Sequence, residues 1–262
     1  MIRCLRYGVS SGQRIVSSCI FNYALRTTQH SHYQPLTMIL QIETATTVCS
    51  VALANQGQVI AFKEVNERNI HAEAITVFID EILKNAGVKY HDLDAVAVSS
   101  GPGSYTGLRI GVSTAKGLCY ALDKPLIAVE TLEAMAGGMI ATGVDPNTLL
   151  CPMIDARRME VYTALFNAEG KRLKATAAEI IDADSFFEQL KNNKILFFGD
   201  GAPKCRAVLG DNPNALFVDD FNNSATHLTQ MALQKLQAGL FEDVAYFEPF
   251  YLKDFLVTTK KA

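Results

Sequence analysis

Apolar and polar positions along the chain predict two successive rounds of strands and helices. The first round opens with three apolar runs typical of strands, with the turn Asn55-Gln-Gly-Gln58 between the second and the third. Apolar residues at helical spacing then predict a helix that ends at Gly87. The predicted order is strands 39–42, 49–53 and 59–65, helix 70–86, strand 94–98, helix 104–121, strand 126–129 and helix 130–141.

A second round follows Asp145 and Pro146 and repeats this order. Its predicted elements are strands 149–154 and 161–166, a third strand ending near residue 181, helix 182–191, strand 195–198, a short helix near 203–209 and helix 224–239. Because three strands followed by helix–strand alternation occur twice, we predict an α/β protein of two related lobes, residues 38–145 and 146–262, each with βββαβα order. Two lobes of this kind leave a cleft in which a nucleotide could bind.

The first 37 residues differ in composition from the rest of the chain. They contain four arginines and no Asp, Glu or Lys, whereas the remainder carries 20 basic and 27 acidic residues, a net charge of −7. This composition fits an organelle transit peptide or translated upstream sequence. The second interpretation is favoured, because a strand begins directly at Met38. We expect residues 1–37 to be an extension that is disordered or not translated.

Overall composition excludes several classes of protein. Hydrophobic residues make up 49% of the 262 residues and charged residues 19%, which is typical of a globular protein with a full core. The apolar runs are too short for a membrane-spanning helix, so no membrane association is expected. A net charge of −3 argues against a chain that binds nucleic acid alone. The six cysteines form no C-x-x-C pair, which indicates a reducing compartment, a cytoplasmic location and no thiolate metal site.

A glycine-rich loop between a predicted strand and helix is the strongest local signal. Gly101, Gly103 and Gly107 are spaced differently from a dinucleotide fingerprint, and no Walker lysine follows. Ser104 or Thr106 can cap the helix. A helix N-terminus after a strand could hold a phosphate, although a tight strand-to-helix turn is the simpler interpretation.

The helix after this loop carries small residues on one face. Gly107, Gly111, Ala115 and Cys119 recur every four residues, and each interior glycine costs about 1 kcal/mol relative to alanine. Such a face allows another element to approach closely. The sequence leaves open whether that element is the protein's own sheet or a helix of a partner chain.

Four segments make the chain resemble the TsaB (YeaZ) family. The most specific is Gly101-Pro-Gly-Ser-Tyr-Thr-Gly-Leu-Arg-Ile-Gly111. The others are Ile39-Leu-Gln-Ile-Glu-Thr-Ala-Thr46 with Cys49-Ser-Val-Ala-Leu53, Ile154-Asp-Ala-Arg-Arg-Met-Glu-Val-Tyr162, and Glu248-Pro-Phe-Tyr-Leu-Lys253. The resemblance runs from Met38 to about Phe255 and does not include residues 1–37.

The resemblance implies an actin-like/Hsp70-like (RNase H-like) fold of two lobes, each with a mixed sheet. It implies a role in making threonylcarbamoyladenosine on tRNA, as a non-catalytic scaffold that pairs with the catalytic paralogue TsaD. It also implies a small ATPase, TsaE, as a further partner, a possible homodimer, and contact with tRNA only through the complex. No cofactor is expected.

The resemblance further implies that helices 70–86 and 104–121 form the partner interface. On this basis the small-residue face is assigned to a partner, and Gly111→Leu or Ala115→Arg is expected to prevent assembly without unfolding the monomer. The interface residues expected are His71, Ala74, Phe78, Gly107, Ile110, Gly111, Thr114 and Ala115.

Two positions argue against catalysis by the chain alone. The catalytic paralogues hold a metal with two histidines four residues apart, whereas His71 is followed at that spacing by Ile75. Glu43 stands where relatives of the fold use Asp and glycines to bind ATP phosphates, and local hydrogen bonds to threonine hydroxyls are the simpler expectation for it. The candidate cleft or phosphate residues are Glu43, Thr44, Gly101, Gly103, Ser104 and Thr106. The alternative function is an ATP-using sugar or acyl kinase of the actin-like superfamily.

Overall fold

Two mixed β-sheets with helices against them form the part of the chain that the computed structural model describes, residues 13–14 and 37–253. The strands of the first sheet are β1 (Gln13–Arg14), β2 (Met38–Glu43), β3 (Val48–Asn55), β4 (Gln58–Asn66), β5 (Ala95–Ser99) and β6 (Leu126–Val129). The helices between them are α1 (His71–Ala86), α2 (Tyr105–Leu122) and α3 (Thr131–Ile140). The strand order is β1-β4-β3-β2-β5-β6, antiparallel from β1 to β2 and parallel from β2 to β6.

The second sheet repeats the opening of the first. Its strands are β7 (Thr148–Asp155), β8 (Glu160–Phe166), β9 (Arg172–Ile180), β10 (Lys194–Phe198) and β11 (Ala215–Phe217), and its helices are α4 (Phe187–Asn192), α5 (Ala202–Leu209) and α6 (Thr229–Gln237). The strand order is β11-β10-β7-β8-β9, in which β7, β8 and β9 pair antiparallel and β10 and β11 add parallel strands. The predicted α/β fold of two lobes, each opening with three antiparallel strands, is therefore confirmed.

Helices cover both faces of the first sheet, which explains why its central strands are apolar on both sides. Phe78 and Ile82 of α1 pack with Leu40 and Val96 on one face. The opposite face is covered by α6, whose Ala232 packs in a cluster with strand residues of this sheet. Helix α6 follows the second sheet in the chain, so the polypeptide returns to the first sheet before it ends. The lobe boundaries 38–145 and 146–262 remain a prediction.

Helix α3 connects the two sheets. Its residues Leu132 and Met135 pack in one cluster with Leu150 of β7 and Phe166 of β8. Arg172 of β9 also pairs with Glu130, which immediately precedes α3. The glycine loop, which follows β5 and is hydrogen-bonded to Thr131, therefore lies at the start of a helix that packs against both sheets.

Two of the predicted helices have different boundaries in the structure. The helix predicted at 182–191 begins only at Phe187, because the Asp182 carboxylate accepts hydrogen bonds from the Ser185 hydroxyl at 2.8 Å and the Asp184 N–H at 3.1 Å. These bonds form a turn that competes with the first helical turn. The helix predicted at 224–239 is split into a 3₁₀ turn at Ala225–Leu228 and α6. The short strand β11 was not predicted.

The extension predicted at residues 1–37 lies outside the described residues, apart from Gln13, Arg14 and Thr37. Gln13 pairs with Val65 and Arg14 with Glu64 at the edge of the first sheet.

Within the described residues, every helix lacks either the length or the apolar content that crossing a bilayer requires.

Candidate functional site

The glycine loop joins β5 to α2 and caps the helix with its own serine. The Ser104 hydroxyl accepts a hydrogen bond from the Gly107 N–H at 3.3 Å, so Ser104 rather than Thr106 is the capping residue. Thr106 is exposed on the first turn of the helix. The predicted start of the helix is therefore confirmed. Of the two candidate caps, Ser104 caps the helix and Thr106 does not.

Two glycines of the loop allow the turn between β2 and β3 to approach the backbone closely. A Cβ atom at Gly103 would clash with the Ala45 carbonyl oxygen, and one at Gly107 would clash with the Thr44 carbonyl oxygen. The Ser104 N–H also donates to the Ala45 carbonyl at 2.7 Å. The chain's own carbonyl groups thus lie against this loop, which favours the tight turn over a phosphate cradle.

Gly101 is held by two distant parts of the chain that the sequence did not identify. Its φ of +111° suits glycine, and a Cβ atom there would lie 2.6 Å from the Phe250 carbonyl oxygen. The Phe250 N–H donates to the Ser100 carbonyl at 2.7 Å, and the Thr131 N–H donates to the Gly101 carbonyl at 2.9 Å. Only the resemblance singled out residues 248–253, because no local signal links Phe250 to a loop some 150 residues earlier.

Glu43 is fully buried at the end of β2, directly beneath the loop. Its carboxylate accepts hydrogen bonds from the Ala45 N–H at 2.6 Å and from the Ser99 hydroxyl at 3.0 Å. Burial raises the pKa of Glu43 from 4.5 to about 7, and the two hydrogen bonds oppose this rise. The partners are a backbone amide and a serine rather than the expected threonines. The Glu43 carboxylate therefore accepts its hydrogen bonds from groups of the same chain.

The small-residue face of α2 points into the protein. A Cβ atom at Gly111 would clash with the Thr44 hydroxyl, and Ala115 and Cys119 belong to the core between α1, α2 and the sheet. Among the described residues the buried Thr44 hydroxyl has no hydrogen-bond partner. The element that approaches these glycines is the chain's own β2–β3 turn, so the expectation that they face a partner needs correction. Gly111→Leu should disturb the monomer itself.

The residues expected to form the interface on α1 are also mostly buried. His71, Ala74 and Phe78 are each less than 8% exposed, and the His71 Nε2 lies 3.2 Å from the Val48 carbonyl oxygen. On α2, Ile110 and Thr114 are half-buried, and the Thr114 hydroxyl donates to the Ile110 carbonyl. Whether these residues meet a partner remains a prediction.

Other residues of α1 and α2 face solvent. Val77 of α1 is 50% exposed and Tyr120 of α2 is 86% exposed. Gly117 is exposed, and a Cβ atom there would meet nothing within 4 Å. A glycine inside a helix without a packing reason in its own chain leaves room for a closely packed neighbour. The four-residue spacing of small side chains indicated only the inward face of α2. Val77, Gly117 and Tyr120 were therefore not predicted as interface positions.

A cavity of about 360 Å³ lies between α2 and the C-terminal segment, which we define as residues 240–253. Its lining includes Tyr105, Arg109, Lys116, Phe247 and Tyr251. The rings of Tyr105 and Tyr251 lie 4.9 Å apart. The Lys116 ammonium donates to the Ala245 carbonyl at 3.2 Å and the Phe247 carbonyl at 2.9 Å, which fixes the segment along the helix. The second lobe also contacts it, because Lys253 pairs with Glu160.

The fold and the site together define a class of protein with two α/β lobes. In this chain the glycine loop packs against the β2–β3 turn and the C-terminal segment of the same chain. In a family scan, residues 64–258 match the model described as TsaD, tRNA N6-adenosine threonylcarbamoyltransferase. The chain is 32% identical over 241 residues to the tRNA threonylcarbamoyladenosine biosynthesis protein TsaB of Haemophilus influenzae, covering 85% of this chain and 96% of that protein. The chain therefore belongs to the TsaB family.

Two further relatives agree with this assignment. TsaB of Escherichia coli is 42% identical over 131 residues, which cover 50% of this chain and 55% of that protein. That match spans about half the length of the Escherichia coli relative. The solved structure of YeaZ from Pseudomonas aeruginosa has a TM-score of 0.66 at 24% identity, covering 82% of this chain and all of that one, and supports the fold.

Proposed function

We propose that the chain acts in the biosynthesis of threonylcarbamoyladenosine on tRNA, as a non-catalytic subunit that pairs with a TsaD-type transferase. The observation that carries this proposal is the similarity to TsaB of Haemophilus influenzae, which is named for that pathway and is matched over nearly its whole length. The match to the TsaD family model supports a common fold for the chain and its partner. Two copies of one chain in a two-fold dimer associate through the same surface on each, and a partner of the same fold could present an equivalent surface.

The geometry at the glycine loop supports a scaffold rather than a catalyst. His71 lies inside the protein against the Val48 carbonyl, and Glu43 is buried with hydrogen bonds to Ala45 and Ser99. Neither group is placed to hold a metal or a phosphate in the space between the lobes. The alternative function, an ATP-using kinase, requires accessible acidic groups there, and these contacts do not favour it.

We place the partner interface on the exposed faces of α1 and α2. Ile110, Thr114 and Gly117 follow one another at spacings of four and three, so they share one stripe of α2. Val77 gives the neighbouring helix α1 an exposed apolar position. A TsaE-type ATPase then joins the pair, tRNA is contacted through the complex, and a homodimer forms when the transferase is absent.

Size-exclusion chromatography with light scattering tests the pairing. The full chain is measured alone and with the TsaD-type subunit of the same organism, and the proposal predicts a one-to-one complex that replaces any homodimer. Gly117→Leu should weaken this complex because the added side chain separates the helices, whereas Ala141→Leu, at an exposed position that ends α3, adds the same side chain elsewhere and serves as the control. If no complex forms with the wild-type chain at micromolar concentration, the proposed pairing is wrong.

A further inference from the structure

The C-terminal segment exposes an unusual number of large apolar side chains. Tyr246 is 84% exposed, and four further residues of the same segment are at least one-third exposed: Leu240, Phe241, Phe250 and Tyr251. The segment is nevertheless fixed in place, because Lys116, Ser100 and Leu126 hold its backbone by hydrogen bonds. Clustered aromatic side chains on a fixed surface are typical of sites where another protein binds.

A stripe of α2 forms the other wall of the cavity. Arg109, Ser113, Lys116 and Tyr120 occur at spacings of four, three and four, so all lie on one side of the helix. The first three of them line the cavity, and Tyr120 continues the stripe by one turn beyond it. This stripe is adjacent to the one that carries Ile110, Thr114 and Gly117. We name the cavity with its two walls, the α2 stripe and residues 245–251, the C-terminal groove.

The C-terminal groove carries two cations that have no carboxylate partner among the described residues. The Arg109 guanidinium donates to the Tyr105 hydroxyl at 2.8 Å and lies over the Tyr105 ring at 5.2 Å. Lys116 binds two carbonyl groups, which leaves one of its three N–H donors for another acceptor. Glu248 is the one acidic residue among those lining the cavity, so positive charge predominates there.

We propose that the C-terminal groove binds an extended segment of the TsaD-type partner that carries a carboxylate next to an apolar side chain. The carboxylate pairs with Arg109 and the free donor of Lys116, and the apolar side chain lies against the paired rings of Tyr105 and Tyr251. The two cations attract the carboxylate, and the aromatic rings provide an apolar surface for the neighbouring side chain. The inference rests on the proposed function and extends the interface from the helices to the C-terminal segment.

Charge reversal at Arg109 tests the inference. Arg109 is exposed, so Arg109→Glu should leave the fold intact, which thermal unfolding checks. We expect its affinity for the partner to fall about tenfold or more and to depend less on salt than that of the wild type. Lys194→Glu, which reverses an exposed charge at the start of β10, is the matched control and should stay within about twofold. Arg109→Lys should recover most of the loss.

A photo-crosslinking experiment identifies the bound segment. Ser113→p-benzoylphenylalanine places the reactive group in the cavity, and the crosslinked partner peptide should contain Asp or Glu next to an apolar residue. A peptide without an acidic residue would overturn the inference.

The outcomes separate this inference from the proposed function. A wild-type complex that Arg109→Glu leaves unchanged would refute the C-terminal groove as the contact and keep the pairing. Loss of tRNA binding by Arg109→Glu with unchanged partner affinity would assign the groove to nucleic acid and would also overturn the inference. Failure of the wild-type chain to bind the partner would refute both.

Discussion

The two sides of helix α2 carry small residues for different reasons. On the inward side, Gly107 and Gly111 lie against Thr44, and any added side chain would collide with atoms of the same chain. On the outward side, Gly117 has open space around it and Tyr120 extends into solvent. The comparison shows that a small residue in a helix can indicate an internal contact or an external one. The atoms around the position that a Cβ atom would occupy distinguish an internal contact from an external one.

The inward side should show the largest effect on stability. Gly111→Leu places a buried side chain where the Thr44 hydroxyl lies, so we expect the free energy of unfolding to fall by about 3 kcal/mol. Urea unfolding followed by circular dichroism measures this change. A variant that unfolds at the wild-type urea concentration would show that the inward side is loosely packed. The stated difference between the two sides of α2 would then be wrong.

Glu43, which ends β2 directly before the turn that packs on this inward side, predicts a dependence of stability on pH. Because burial raises its pKa from 4.5 to about 7, the native state binds the proton more tightly than the unfolded chain. This stabilisation is complete below about pH 4.5 and is lost as the pH rises through 7, a difference of up to roughly 3 kcal/mol. Glu43→Gln should lack it.

Unfolding of both proteins at pH 5 and at pH 8 measures the Glu43 contribution. The wild type should lose stability relative to Glu43→Gln between the two values. Parallel pH profiles would mean that the carboxylate is solvated in solution.

The outward side should affect association rather than folding. Gly117→Leu is expected to leave the isolated chain at least as stable as the wild type, because leucine favours a helix over glycine. It should weaken the complex with the TsaD-type subunit about tenfold, which corresponds to about 1.4 kcal/mol. Isothermal titration calorimetry measures the affinity. Unchanged affinity would exclude this part of α2 from the interface.

The smallest expected effect comes from the same position. Gly117→Ala should stabilise the isolated chain by up to about 1 kcal/mol, because alanine favours the helix and meets no neighbour. Thermal unfolding measures this gain. A destabilised Gly117→Ala would indicate a contact in the free chain that the structure does not show.

Most of the fold followed from local patterns, and much of the candidate site did not. Helix α2, its Ser104 cap and strand β6 were predicted within one residue, since apolar spacing and capping act over a few positions. The partners of Gly101, namely Phe250 and Thr131, come from distant segments. The return of α6 to the first sheet likewise depends on packing that the order of elements does not reveal.

The inward direction of Gly111 was ambiguous for a related reason. A four-residue spacing defines one face of a helix but does not say what that face meets. The sequence left both alternatives open, and the resemblance favoured the partner. The clash with Thr44 resolves the direction for this residue.

Reconstituted tRNA modification tests the central claim most directly. The TsaD-type subunit, the TsaE-type ATPase, an activated threonylcarbamoyl donor and substrate tRNA are incubated with or without the full chain, and modified nucleoside is measured by mass spectrometry. We predict modification that requires both this chain and the TsaD-type subunit, and none when the TsaD-type subunit is left out. Full modification without this chain, or modification by this chain without the TsaD-type subunit, would contradict the proposed role of a non-catalytic subunit.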